Sequence, residues 1–388
     1  MTTLLVDPTI PEREAGRETR HRPGLPFLDP DLGAAEVHVI SGSFGAGHDA
    51  AAREIAIRLT AEGHLVRVWD IVDFFPARLG RLLRAAYLKQ LQISPSSWGA
   101  LLRRLEPSGL LHRVVTRALA ITSRRLAAVA SGSDLVISTH PFASQALGRL
   151  RSRGRLPVPV VTYLTDLSVH SLWVHRGVDL HLALHEVAAR QARSWGGEAT
   201  VIDPLVPRTL PGLLPAPDLA ADHRASWGLA PDARIALVVG GSMGIGELAS
   251  AAADIAATGL AVPVVVCGHN AALVRRLADI PGVVALGWRD DLPALLAAAD
   301  CVIQNAGGFT SLEAMAAGVP VITYRCLPGH GMSNAEALQE AGLVPWARGV
   351  DDLRQLLVAA LAGPWSPRIT AGRSTLVSVL SSVTGSQP

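Results

Sequence analysis

The feature that most narrows the fold is a juxtaposition that occurs twice: a short β-prone run, then a glycine-rich turn, then a helical pattern of small residues. The first copy is Val37-His38-Val39-Ile40, followed by Ser41-Gly42-Ser43-Phe44-Gly45-Ala46-Gly47-His48 and a helix-like stretch from Ala50 to Ala61. The second is Ile235 to Val239, followed by Gly240-Gly241-Ser242-Met243-Gly244-Ile245-Gly246 and an Ala-rich helix. A glycine turn at the carboxyl end of a strand, leading into a helix, opens a βαβ unit, and such units build parallel, doubly wound sheets. Further apolar runs keep the rhythm, at 134–137 and 158–164 in the first half and at 262–267, 283–286, 301–303 and 319–323 in the second.

Between the two series, residues 203–217 carry Pro204, Pro207, Pro211, Pro215 and Pro217. Such a stretch continues neither a helix nor a central strand. The expected organisation is a flexible leader (1–34), a first domain (35–202), a Pro-rich linker (203–217) and a second domain (218–388). The segment after Asp351 is expected to pack as helices and to cross back to the first domain. The 388 residues are 49% hydrophobic, 18% charged and only 4% aromatic, a palette that suits parallel strands buried under close-packed helices. The fold class is therefore α/β, with two Rossmann-like domains facing a central cleft.

A formal net charge of +2 argues against a chain that coats nucleic acid. No apolar run reaches the roughly 20 residues of a membrane-spanning helix, and the N-terminus lacks the basic-then-apolar pattern of a secretory signal. Cys267, Cys301 and Cys326 have no metal-ligand spacing, so a reducing cytoplasm is the expected location. No Asp-x-Asp pair suggests a metal, none is expected as a cofactor, and the oligomeric state is left open.

Ligands of open α/β sheets bind beyond the carboxyl ends of the strands, where free amides and the helix dipole favour phosphate. Two turns fit, Gly240 to Gly246 and Asn305-Ala306-Gly307-Gly308-Phe309-Thr310. Glycine is also needed at any sharp strand-to-helix turn, so each alone is weak. Glu313 has two readings. Thr310-Ser311-Leu312-Glu313 fits a capping box, whereas a carboxylate at a helix start also suits the two hydroxyls of a ribose; spacing alone favours the cap. His48, at a helix start beside the first glycine turn, suits a general base near neutral pH, or else caps and packs. Asp166 either orients an acceptor or ends a strand in a turn, and His140 is a weaker cleft candidate.

Resemblance adds to this. From Ile235 to Trp346 the chain resembles the donor-binding half of GT-B glycosyltransferases of the MurG and monogalactosyldiacylglycerol synthase type, a family 28-like group. The likeness runs through Gly240-Gly241-Ser242, Gly268-His269-Asn270, Gly287-Trp288 with Leu292, Asn305 to Ala314 (NAGGFTSLEA), and the loop Pro328-Gly329-His330-Gly331-Met332-Ser333-Asn334. It implies a ribose-holding Glu313 and a diphosphate cradle at Gly307, Gly308 and Thr310. Gly241, Ser242, Gly268, His269, Asn270, His330 and Asn334 are the further donor-site residues it implies. In the first half, Gly45-Ala46-Gly47-His48 resembles the Gly-Gly-Gly-His start of the diacylglycerol synthases. Thr165-Asp166-Leu167-Ser168-Val169-His170-Ser171-Leu172-Trp173 matches their Thr-Asp-Leu-x-x-x-His-x-x-Trp run. The chain departs at Pro328-Gly329-His330-Gly331, where relatives carry Pro-Gly-Gln-Glu to read sugar hydroxyls, so the sugar is not carried over.

From Arg78 to Arg125 ten basic residues face one acid, Glu106, a local net charge of +9. The segment is Leu-rich, with Arg81, Arg84, Arg103, Arg104, Tyr87 and Trp98 as candidate membrane and acceptor contacts, joined by His170. A basic amphipathic segment can lie on an anionic bilayer; the plainer alternative is a solvated helix face. The function the resemblance implies is inverting transfer of a sugar, with UDP the expected nucleotide, to the hydroxyl of a lipid such as diacylglycerol. His48 is the expected base, helped by Asp166, at the inner face of the cell membrane. A soluble transferase of secondary metabolites, or a nucleotide-sugar-binding protein without catalysis, shares the same donor site.

Overall fold

The computed structural model describes residues 27–28, 33–93, 110–207, 217–363 and 374–382. The first half runs β1 (Glu36–Ser41), α1 (Ala46–Ala61), β2 (Leu65–Asp70), α2 (Leu79–Ile93), α3 (Leu110–Ala118), α4 (Ser123–Ala130), β3 (Leu135–Ser138), α5 (Pro141–Ser152), β4 (Val160–Tyr163), β5 (Leu180–Ala183), α6 (Glu186–Ser194) and β6 (Ala199–Val201). The second runs α7 (Pro217–Ser226), β7 (Ile235–Val239), α8 (Leu248–Thr258), β8 (Val262–Val266), α9 (Ala271–Ala278), β9 (Val284–Leu286), α10 (Leu292–Ala298), β10 (Cys301–Gln304), α11 (Phe309–Ala316), β11 (Val321–Tyr324), α12 (His330–Glu340), β12 (Trp346–Ala347) and α13 (Val350–Leu361). A last helix, α14 (Leu376–Ser382), follows.

Both sheets have six strands and every pairing is parallel, as apolar runs bounded by turns require. Their orders are β2-β1-β3-β4-β5-β6 and β12-β11-β10-β7-β8-β9. In each, the chain reverses its direction of winding beside the first strand: between β1 and β3 in one, and between β7 and β10 in the other. Such a reversal leaves a crevice at the carboxyl ends of the strands. Both glycine turns lie there, because each follows the strand next to the reversal.

One apolar cluster is continuous between the halves. It joins Val37, Ile55 and Leu135 to Ile235, Val302 and Leu312 through Leu205, Val206, Leu376 and Leu380. α14 packs against α1, and the Asp203 N–H donates to the Ser374 carbonyl at 2.9 Å. The C-terminal segment thus crosses back to the first half.

Three expectations are corrected. Phe27 and Leu28, read as leader, are 5% and 2% exposed, and the Leu28 N–H donates to the Leu380 carbonyl at 2.9 Å. Pro217, read as the end of the linker, begins α7, as its fixed φ allows at a first helical position. His330 to Asn334, read as a loop, is the first turn and a half of α12. Residues 1–26 and 29–32 of the expected leader, the linker between 208 and 216, and Trp98, Arg103 and Arg104 lie outside the described residues.

Candidate active site

The two crevices face each other across one cavity of about 420 Å³. The first half contributes the turn Phe44–His48, Tyr87 and Leu88 from α2, and Thr165 and Asp166 after β4. The second contributes the turns after β7 and β10, with Gly268, Trp288, Glu313 and His330. The amino ends of α1 and α11 nearly touch here, since a Cβ on Gly47 would lie 3.4 Å from Phe309 Cβ. Neither helix has a side-chain cap: the residue ahead of α1 is Gly45 and that ahead of α11 is Gly308. Two helix dipoles and their unpaired first-turn amides therefore converge on one cavity, a setting that favours an anion.

The turn after β10 is held from beneath. Gln304 Oε1 accepts from the Gly307 N–H, and Asn305 Nδ2 donates to the Ile245 carbonyl at 2.8 Å, tying this turn to the one after β7. The Gly307 amide is consequently engaged, contrary to the expectation that it faces the diphosphate, and the open amides begin at Gly308. Gly307 has φ 58°, and a Cβ there would lie 2.9 Å from Asn334 Cβ, so glycine is needed both for the turn and for the approach of α12.

Glu313 decides between its two readings. The N-cap of α11 is Gly308, so Thr310 sits inside the helix and the capping box does not form. Glu313 lines the cavity, and burial alone pushes its carboxyl up to about 7. Among the described residues no hydrogen bond reaches the carboxyl, which leaves it able to accept from a ligand. On the same cavity, Trp288 is 46% exposed and its ring stacks on His269 at 4.3 Å with an 8° interplanar angle. That presents a flat aromatic face to the cavity.

On the opposite wall, His48 Nδ1 lies 2.8 Å from the Thr139 carbonyl and 2.9 Å from Thr165 Oγ1. A carbonyl only accepts, so Nδ1 carries the hydrogen and Nε2 keeps its lone pair. Burial lowers the His48 pKa, with Asp166 and the Thr139 carbonyl opposing, so the ring is held neutral. Burial by itself would raise the Asp166 carboxyl, but His330, His48 and His170 and the Trp173 indole N–H (2.7 Å) outweigh it and hold it below its usual range. Asp166 Oδ1 is 3.5 Å from His330 Nε2, across the boundary between the halves. A neutral base backed by a half-buried carboxylate can take a proton and stabilise the imidazolium that results.

His48, Asp166, Tyr87, Gly241, Ser242, Gly268, Gly307, Gly308, Thr310, Glu313 and His330 meet at this cavity. Asn270 does not: it caps α9 through Leu273 N–H (3.0 Å) and donates to the Gly244 carbonyl (3.0 Å). His269 supports Trp288 from behind, and Asn334 is wholly buried. His170 stands near Trp173 rather than on the cavity wall. Arg81 and Arg84 lie exposed on α2, where Arg84 Nε donates to the Ser43 carbonyl at 2.6 Å, bracing the glycine turn. His140 caps α5, accepting from Phe142 N–H at 3.2 Å. Sequence reasoning gave no role to Gln304, Thr139 or Ser168, whose parts depend on partners far along the chain. Among the described residues no group of three or more His, Cys, Asp or Glu is placed to hold a metal.

Residues 48–205 match the family model of monogalactosyldiacylglycerol synthase, and residues 235–362 match that of the glycosyl transferases group 1. The chain has the GT-B fold, and each of its halves is similar to a glycosyltransferase family. Its curated relatives include processive diacylglycerol beta-glucosyltransferases of Bacillus pumilus, 27% identical, and Bacillus thuringiensis, 29% identical, each over 220 residues. Both alignments cover 54% of this chain and 55% of the relative, so the chain spans about half the length of the curated relatives it matches. Among solved structures, the glycotransferase of kitacinnamycin superposes with a TM-score of 0.54 at 16% identity, covering 86% of this chain and 92% of that one. HepE of Anabaena in complex with UDP gives 0.52 at 16%, covering 84% and 90%. At such identity the likeness speaks for the GT-B fold alone.

Proposed function

We propose that this GT-B chain moves a sugar from a UDP-sugar to a hydroxyl of a diacylglycerol-type lipid, with inversion at the anomeric carbon. The observation that carries the donor half is Glu313, a carboxyl in the second turn of α11 without a side-chain partner among the described residues, on a cavity that open amides and the exposed Trp288 also line. A nucleoside diphosphate supplies what each lacks: ribose hydroxyls for Glu313, phosphate oxygens for the amides, and a flat base for Trp288. Names of relatives add to this, since the Bacillus proteins are diacylglycerol glucosyltransferases and HepE was solved with UDP.

In the reaction, the acceptor hydroxyl attacks the anomeric carbon from the His48 side as the bond to the diphosphate breaks. His48 Nε2 takes the hydroxyl proton and later passes it to water, while Asp166 offsets the charge on the ring. The Gly308, Phe309 and Thr310 amides and the two helix ends meet the charge on the departing diphosphate, a chemistry that asks for no metal. His330, standing where relatives carry side chains that read sugar hydroxyls, becomes the group that selects the sugar.

The lipid half rests on α2. Leu79, Leu82 and Leu83 are 37%, 66% and 44% exposed beside Arg81, and the same helix brings Tyr87 and Leu88 to the cavity. Val114 and Ile121, later in the basic segment 78–125, add 52% and 51% exposure. No helix among the described residues is long and apolar enough to cross a membrane, and an amphipathic face of this kind would lie on an anionic surface at the inner leaflet. Calorimetry with UDP-, GDP- and dTDP-sugars, run with parent and Glu313→Ala, tests the donor. Selective UDP-sugar binding that the variant loses is expected; no binding by the folded parent to any of them rejects the reading.

A further inference from the structure

Asn334 sits at the boundary between the two halves with no exposed surface. Its Oδ1 accepts from both the N–H (2.8 Å) and the hydroxyl (2.7 Å) of Ser168. Its Nδ2 donates to the Ala306 carbonyl at 2.9 Å, and lies 3.3 Å from the Gly307 carbonyl and 3.2 Å from His330 Nε2. The orientation of the amide is fixed by its partners. A backbone N–H can only donate, so the oxygen faces Ser168, and carbonyls can only accept, so the nitrogen faces the turn. With its oxygen filled twice and its hydrogens directed at the turn, the amide has nothing left to offer a sugar.

What it joins is specific. Ser168 follows β4 on the short loop that carries Asp166, and Ala306 and Gly307 belong to the turn that presents the open amides of α11. One buried side chain therefore holds the carboxylate behind the base and the cradle for the leaving group at a set separation. The bonds to Ala306 and Gly307 lie within Asn334's own half, whereas those to Ser168 cross the boundary. Opening of the cleft must break the Ser168 side and can leave the other intact. Arg190 and Glu340 also pair across the boundary, but both are 57% exposed, and such pairs contribute little.

We propose that Asn334 is a positioning residue that couples the acceptor-side loop Thr165–Ser168 to the diphosphate turn Ala306–Gly308, so that the base and the leaving-group cradle are aligned only when the Ser168 bonds are made. This rests on the transferase reading for its catalytic consequence, but not for its structural one.

Two substitutions separate the ends of the coupling. Ser168→Ala removes the hydroxyl that crosses the boundary and leaves the turn untouched. Asn334→Asp keeps an oxygen for Ser168 but sets another against the Ala306 and Gly307 carbonyls. UDP affinity reports on the turn. Distances between spin labels on α6 and α13, together with kcat in lipid vesicles, report on the link, and circular dichroism confirms folding. Ser168→Ala is expected to keep parental UDP affinity, broaden the distance distribution and lower kcat by about fivefold, the worth of one neutral hydrogen bond. Ser168→Thr, which restores the hydroxyl, returns kcat toward the parent. Asn334→Asp is expected to lose UDP affinity with little change in the distances.

If both variants move the same readouts in proportion, or neither moves any, the coupling is overturned. A parent that binds no UDP-sugar rejects the transferase reading instead, and the label distances then judge the coupling by themselves.

Discussion

Replacing Glu313 by glutamine keeps the shape of the side chain and removes its ionisation. Burial lifts this carboxyl from 4.5 to about 7, so between those pH values the native chain holds a proton that the unfolded chain has released. Unfolding then releases a proton, and stability falls as pH rises through that window. The interval corresponds to about 3 kcal/mol at 1.36 kcal/mol per pH unit, and water reaching the cavity reduces it, so a gain of about 1–3 kcal/mol is expected for Glu313→Gln at pH 8. At pH 4 both side chains are neutral and the gain should vanish. Urea denaturation at the two pH values measures it directly. Ligand binding should move the other way. A ribose diol donates to the ionised carboxylate and favours it, so parental UDP affinity should rise from pH 6 to pH 8, with release of a proton on binding. Glutamine should weaken UDP at pH 8 while making the free protein more stable. The same stability difference at pH 4 and pH 8, or tighter UDP binding by the glutamine variant, would refute the placement of an unpartnered carboxyl in the donor site.

For His48→Gln, transfer should fall by about 10²–10⁴-fold, the usual contribution of a positioned base, while calorimetric UDP affinity holds; near-parental transfer removes His48 from the mechanism. Because burial lowers the His48 pKa, the acidic limb of kcat/KM should fall below the ordinary 6.5 of a histidine, and a limb above that value would contradict a neutral, desolvated base. Changing Leu82 and Leu83 together to serine should leave the circular dichroism intact, since both are exposed, and should cut flotation with anionic vesicles by about tenfold or more. Unchanged flotation would move the membrane contact off α2.

The alternation of apolar runs and glycine turns was enough to read two doubly wound sheets, because strand period, turn chemistry and helix pattern are local properties of the chain. It also put both glycine turns at strand ends, and the motifs brought His48, Asp166 and Glu313 forward as chemistry. Tertiary structure decided what those residues are free to do. Gln304 and the N-cap Gly308 start α11 two residues before the point the capping box requires, so Glu313 has no capping role. Asn334, grouped by its motif with sugar-reading side chains, is filled by Ser168, 166 positions earlier in the chain. Phe27 and Leu28 look like leader until α14 returns to cover them. In each case the deciding partner is distant in sequence. Burial and hydrogen-bond saturation are set by which segments meet, and a local pattern carries no record of that meeting.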